Sequence, residues 1–290
     1  MEKPITRRDF MRTTAGFTFG AAIGLKTEPQ EKAEVVLIRD KNALDAKSKT
    51  DKNIIQQMLD NAVMTLTGEN DPIKAFGHLI KPDDIVGIKS NAWFYMPTPS
   101  AVERAVERRV LDVGVKKEHV SIDDRGVRQN PAFKKATAII NVRPLRTHYW
   151  SGIGGCIKNL IMFAPSPARY HPDSCADLAL VWKLPLVKDK IRLNILSALT
   201  PQFQGRGPHH YDRRYVWPYK GIIAGKDPVA VDSVGLELIK AKRRQHFGRE
   251  IKFETIPKHI RMADVKHNLG ISDLNQIKLT KLGWQKNSLI

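Results

Sequence analysis

Short β-branched runs separated by stretches of helical periodicity fix the fold class of this chain. Residues 34–39 (EVVLIR), 85–89, 119–123 (HVSID) and 138–142 (AIINV) read as strands. Between them, residues 52–67 place Ile54, Ile55, Met58, Leu59, Ala62 and Val63 on one helical stripe. Ser100 is positioned to cap a helix over 101–113. The second half keeps the alternation, with a glycine-rich loop running into a helix over 152–164, a helix over 176–184 and strands over 191–198 and 221–224. A helix over 228–242 follows, with Asp227 as N-cap and Pro228 at N1, then a helix over 257–269 and a strand over 277–279. This alternation predicts an α/β fold, a mostly parallel sheet with helices on both faces. It leaves open one domain over 34–290 or two lobes, 34–145 and 146–290.

The N-terminal segment reads differently. Residues 6–12 are Thr-Arg-Arg-Asp-Phe-Met-Arg, followed by a moderately apolar, glycine- and alanine-rich stretch to Leu25. A charged region and then a short apolar region are the parts of an export signal. The motif resembles a twin-arginine signal at every position, which implies export of the folded chain by the twin-arginine translocase to a periplasmic or extracellular location. Residues 27–33 are a polar linker. No apolar run is long enough to span a bilayer, so no transmembrane segment is expected apart from the signal.

The net charge is +18, and +15 once residues 1–26 are set aside with their five Lys/Arg and two Asp/Glu. Such a surplus favours anionic partners. The basic residues are scattered, and no zinc-finger, bZIP or RNP pattern is present, so no specific nucleic acid is expected. Cys156 and Cys175 form neither a CxxC pair nor an iron–sulfur run, and their spacing leaves a disulfide undecided.

Four clusters carry chemistry. Lys89-Ser90-Asn91 ends a strand, where open α/β sheets bind ligands. In 146–159, Arg146 and His148 precede a Gly154-Gly155 turn and then Lys158-Asn159. Glycines let backbone approach a ligand and present N–H groups to an anion, while Lys158 offers a charge or a nucleophilic amine. His209-His210 lie in a glycine-rich loop, and His148, His171 and His209 are candidate metal ligands. Asp232 lies on the helix that Asp227 caps. The expected site therefore comprises Lys89, Asn91, Arg146, Gly154, Gly155, Lys158, Asn159 and Asp232 for cofactor or ligand binding, with His148 and Lys158 as catalytic candidates.

These motifs in this order resemble the family described as domain of unknown function 362, on residues 86–91, 97–100, 146–159, 225–232 and 269–273. Many members carry a ferredoxin-like cysteine cluster that this chain lacks. It also has Leu196-Ser197-Ala198 where members often place an Asp. Residues 148–158 further resemble the segment of nickel-pincer lactate racemases that bears a histidine, a Gly-Gly turn and a tethering lysine. That resemblance implies Lys158 as the attachment or phosphate-contacting lysine and His148 as an acid/base or ligand. The racemases' upstream Asp-x-Thr-Arg-Pro motif is not matched.

Two classes follow for one small-anion site. The first is a redox or isomerase enzyme on small hydroxy- or keto-acids. It would use a metal such as nickel, iron or zinc, or a nucleotide-derived cofactor, with His148 as general acid/base. The second is a non-catalytic envelope binding protein or a maturation factor for an exported redox enzyme. Replacing Arg7 and Arg8 by lysine is expected to hold the chain in the cytoplasm, as read by cell fractionation. Unchanged distribution would remove the export reading.

Overall fold

The computed structural model describes residues 32–207 and 211–290. The export motif, most of the linker and His209 lie outside the described residues. The strands are β1 (Ala33–Arg39), β2 (Val86–Lys89), β3 (Val120–Asp123), β4 (Ala138–His148), β5 (Gly152–Gly154), β6 (Ile191–Gln202), β7 (Gly221–Gly225) and β8 (Ile277–Gly283). The α-helices used below are α1 (Lys52–Thr67), α2 (Pro72–Gly77), α3 (Ser100–Asp112), α4 (Pro131–Lys135), α5 (Cys156–Asn159), α6 (Pro228–Phe247) and α7 (Lys258–Val265). No helix among the described residues is long and apolar enough to cross a membrane.

All eight strands join one sheet in the order β3-β2-β4-β6-β7-β1-β8, with β5 added on β4. Strands β3, β2, β4 and β6 run parallel, as do β1 and β8. Only β7 breaks the sense of the main path, antiparallel to both β6 and β1. The boundary weighed at 145/146 falls inside β4, and β1 sits between two strands from the C-terminal half.

The strands are nearly continuous apolar runs because both faces are covered. Along β1, Val36 and Ile38 pack with α1, α2 and α3, while Val35 and Leu37 face the cluster that holds α6. A third cluster, built around Phe133, Phe163 and Leu178, packs on the second face beside Ile139 of β4. Alternation along each strand thus feeds two cores at once.

Helix α1 forms over the residues its apolar stripe predicts. Asp51 caps it through the amides of Asn53 and Ile54, and Gly68 closes it at φ 74°. In α3 the cap moves by one residue: Pro99 holds the extended N-cap position and Ser100 is already helical. Helix α6 runs past the predicted end at 242, because nothing breaks it before Gly248 at φ 70°. Strand β4 continues through Pro144 to His148. The proline is tolerated because pairing with β2 stops at Asn141, pairing with β5 starts only at Arg146, and the register with β6 shifts there.

Asp227 ties α6 to the C-terminal segment. One carboxylate oxygen accepts the amides of Val229 (2.7 Å) and Ala230 (3.3 Å), and the other accepts that of Ile271 (2.7 Å). Asp227→Ala removes the cap and orphans the Ile271 amide, so a loss of about 2 kcal/mol is expected in urea unfolding. A change within a few tenths of a kcal/mol would refute that role.

Candidate functional site

Three parallel strands end side by side. Lys89 closes β2 opposite Asp123 of β3, and β4 runs on to His148. Their carboxyl ends open into a cleft of about 440 Å³. Of the candidates named from the sequence, Asn91, Arg146, His148, Lys158, Asn159 and His171 line it. Trp93, Asp124 and Arg143 line it too, without having been expected. A larger hollow of about 630 Å³ lies beside β1, α1 and β8, but its arginine, Arg39, is already bound to backbone carbonyls and stacked on Tyr219 and Trp284.

A chain of buried amides and charges forms the cleft floor. Lys89 Nζ donates to Asp124 Oδ1 (2.6 Å), to the Ser90 carbonyl (2.6 Å) and to Asn159 Oδ1 (3.3 Å). Asn159 Nδ2 donates to Asn141 Oδ1 (2.8 Å) and the Val142 carbonyl (3.0 Å). Asn141 Nδ2 reaches Asn194 Oδ1 (2.9 Å) and the Cys156 carbonyl (3.0 Å). Asp124 also accepts the Ala92 amide at 2.8 Å. Burial pushes the Asp124 carboxyl up, but the Lys89 charge and hydrogen bond outweigh it and hold Asp124 below its ordinary value. Arg146 is fixed as well, by the Met96 carbonyl (2.7 Å) and Asn91 Oδ1 (2.9 Å).

Asp232 lies behind the cleft. Its two oxygens accept the amides of Cys156 (2.6 Å) and Ile157 (2.9 Å) at the start of α5. Those are the N–H groups that would otherwise greet an anion, so this carboxylate already takes the anion's place at the turn. The glycines make room for side chains. A Cβ on Gly155 would sit 2.2 Å from Asp232 Oδ1, and one on Gly154 would sit 2.9 Å from Arg143 Nη2. Burial drives the Asp232 carboxyl up to about 7, against the pull of its two amides and Arg143.

Two cations stand apart. Lys158 is 3% exposed and Arg143 is 4% exposed, and both line the cleft. Lys158 Nζ and Arg143 Nε make no hydrogen bond among the described residues, and neither side chain has a carboxylate in ion-pair contact there. Lys158 Nζ lies 5.7 Å from the Trp150 ring centroid. Desolvation lowers Lys158 to about 8, with Arg143 adding to the fall, and lowers Arg143 to about 10.

Three histidines lie near this field. His148 Nδ1 accepts the Trp150 amide at 3.2 Å. His171 stacks on Trp150 at 3.9 Å and is lowered to about 4, first by burial and then by Lys158. His259 of α7 is fully buried and lowered to about 3, by burial and then by Lys158 and Arg143. Among the described residues no three His, Cys, Asp or Glu side chains gather as a metal-ligand set. Cys156 and Cys175 are separate buried thiols.

Sequence reasoning missed Arg143, Asp124 and His259. Arg143 and Asn141 are polar residues inside an apolar strand, and that interruption was the available signal. Gly155→Ala is expected to cost about 1–3 kcal/mol by driving Asp232 off the Cys156 and Ile157 amides. Denaturant unfolding checks this, and wild-type stability would show that the turn gives way freely.

The model of the family described as domain of unknown function (DUF362) matches residues 86–237, just over half of the chain. That span holds β2, β4, the glycine turn, Lys158 and Asp232. No curated protein and no solved structure matches the chain. The order of motifs and the family match agree: the chain belongs to the DUF362 family.

Proposed function

We propose that this protein binds a small organic anion in the cleft at the ends of β2, β3 and β4. The observation that carries the reading is the pair of buried cations, Arg143 and Lys158, without hydrogen-bonded or ion-paired carboxylates among the described residues. A buried unpaired charge costs several kcal/mol. An incoming carboxylate or phosphate removes that cost for both cations. Asp124 is engaged by Lys89, and Asp232 by two amides, so neither neutralises the pair by contact.

The walls suit an organic body rather than a bare ion. Trp93, Trp150, Ile161 and Met162 supply aromatic and apolar surface beside the charged groups. His148 supplies a proton donor and acceptor if the bound anion turns over. The reading of an exported protein rests on the Thr6–Arg12 motif and is part of the same proposal.

Calorimetric titration with lactate, pyruvate and inorganic phosphate tests the reading. Binding of at least one is expected, and Arg143→Met is expected to weaken it about tenfold to a hundredfold. Absence of binding by all three would overturn the proposal. The groups that face Lys158 are Arg143, Cys175, His171 and His259. The two histidines are already neutral at pH 7, and the Cys175 thiol is pushed up. An anion favours the protonated lysine, so affinity falls as pH rises through about 8. Ionisation of Asp232 near 7 acts in the same direction. Lys158→Arg is expected to flatten the alkaline limb, because arginine keeps its charge.

A further inference from the structure

Two buried lysines, one lining the cleft and one beneath its floor, are in opposite situations. Lys89 is fully buried and its ammonium is spent: three acceptors surround it, one of them the Asp124 carboxylate. Lys158 is almost as buried, yet its ammonium has no hydrogen-bond acceptor among the described residues and lies 5.7 Å from the Trp150 ring centroid. A lysine kept for structure is built like Lys89. An amine kept for reaction is built like Lys158, desolvated, beside another cation and open to a cavity.

We propose that Lys158 condenses with the carbonyl of a 2-oxo acid whose carboxylate rests on Arg143, forming a Schiff base in the cleft. The inference deepens the anion-binding reading and rests on it. Arg143 offers a guanidinium in reach of the same cavity, and Gly154 leaves the space that this guanidinium fills. Arg143 thus meets the charge, and Lys158 meets the neighbouring carbon.

The step balances without any co-reactant. Lys158 sheds one proton, and its nitrogen lone pair forms a C–N bond as the carbonyl π pair moves onto oxygen. The resulting hydroxyl takes a proton and leaves as water when the C–O bond breaks. One ammonium and one carbonyl give one iminium and one water, with no net proton change. Low burial-shifted basicity supports the first move: with Lys158 near 8, about a tenth of the amine is unprotonated at pH 7.

The test traps the imine. The full chain is incubated with pyruvate, glyoxylate or phenylpyruvate and borohydride, then read by intact mass and peptide mapping. Lactate is the control that carries the carboxylate without the carbonyl. A single reduced adduct on Lys158, absent with lactate, is expected with at least one oxo acid. Lys158→Arg should abolish the adduct, with its urea unfolding curve checking that the variant is folded. Arg143→Met should lower adduct yield about tenfold at fixed ligand. No adduct with any of the three acids, or adducts spread over exposed lysines, overturns the proposal. Lactate, pyruvate or phosphate binding that survives such a failure leaves the anion site intact, whereas absence of the adduct and of binding by all three removes the parent reading as well.

Discussion

The fold depends on a buried polar chain that crosses the sheet from Asn194 of β6 through Asn141 of β4 and Asn159 of α5 to Lys89 of β2 and Asp124 after β3. Each link joins groups far apart in sequence, and each is enclosed. A missing partner would strand a donor or acceptor at a cost of about 1–3 kcal/mol. The chain therefore fixes the relative height of three parallel strand ends and the place of α5 above them. A purely apolar floor would fill the same volume but leave the register of those ends less strictly set.

Around that floor the charges are sorted by whether they are answered. Lys89 and Asp124 answer each other, Arg146 is held by a carbonyl and an amide oxygen, and Asp232 is held by backbone. Arg143 and Lys158 remain, the first with its guanidinium against Gly154 and the second three residues past Gly155. Burial first, and then the Lys158 charge, keeps His171 and His259 neutral. Such a site stores electrostatic cost in the folded state, which is common where a protein is organised for a ligand rather than for stability.

Much of this was legible in the sequence. The period of α1 and the β-branched strands gave the α/β class, because burial on both faces writes itself as unbroken apolar runs. Lys89, Asn91, His148 and Lys158 were legible because they sit where a strand stops or a glycine turn starts. Arg143 was not, since a cation within an apolar strand reads as an outward-facing residue until β6 and α5 are seen to cover it. The glycine turn was visible but its purpose was not: the pattern suggested an anion on bare amides, whereas Asp232, 75 residues beyond Ile157, already occupies them. The sequence also gave no sign that β1 leaves its chain neighbour β2 to pair with β7 and β8.

That last pairing bears on how the molecule comes to exist. Strand β1 lies between β7 and β8, and residues as distant as Glu34 and Lys278 face each other across it. During synthesis, β1 must wait without either neighbour until β7 and β8, both beyond residue 220, have been made. Pairing of β1 is therefore a late event with a large loop entropy to overcome. In the meantime the exposed Val35–Ile38 edge is a natural client for a holding chaperone.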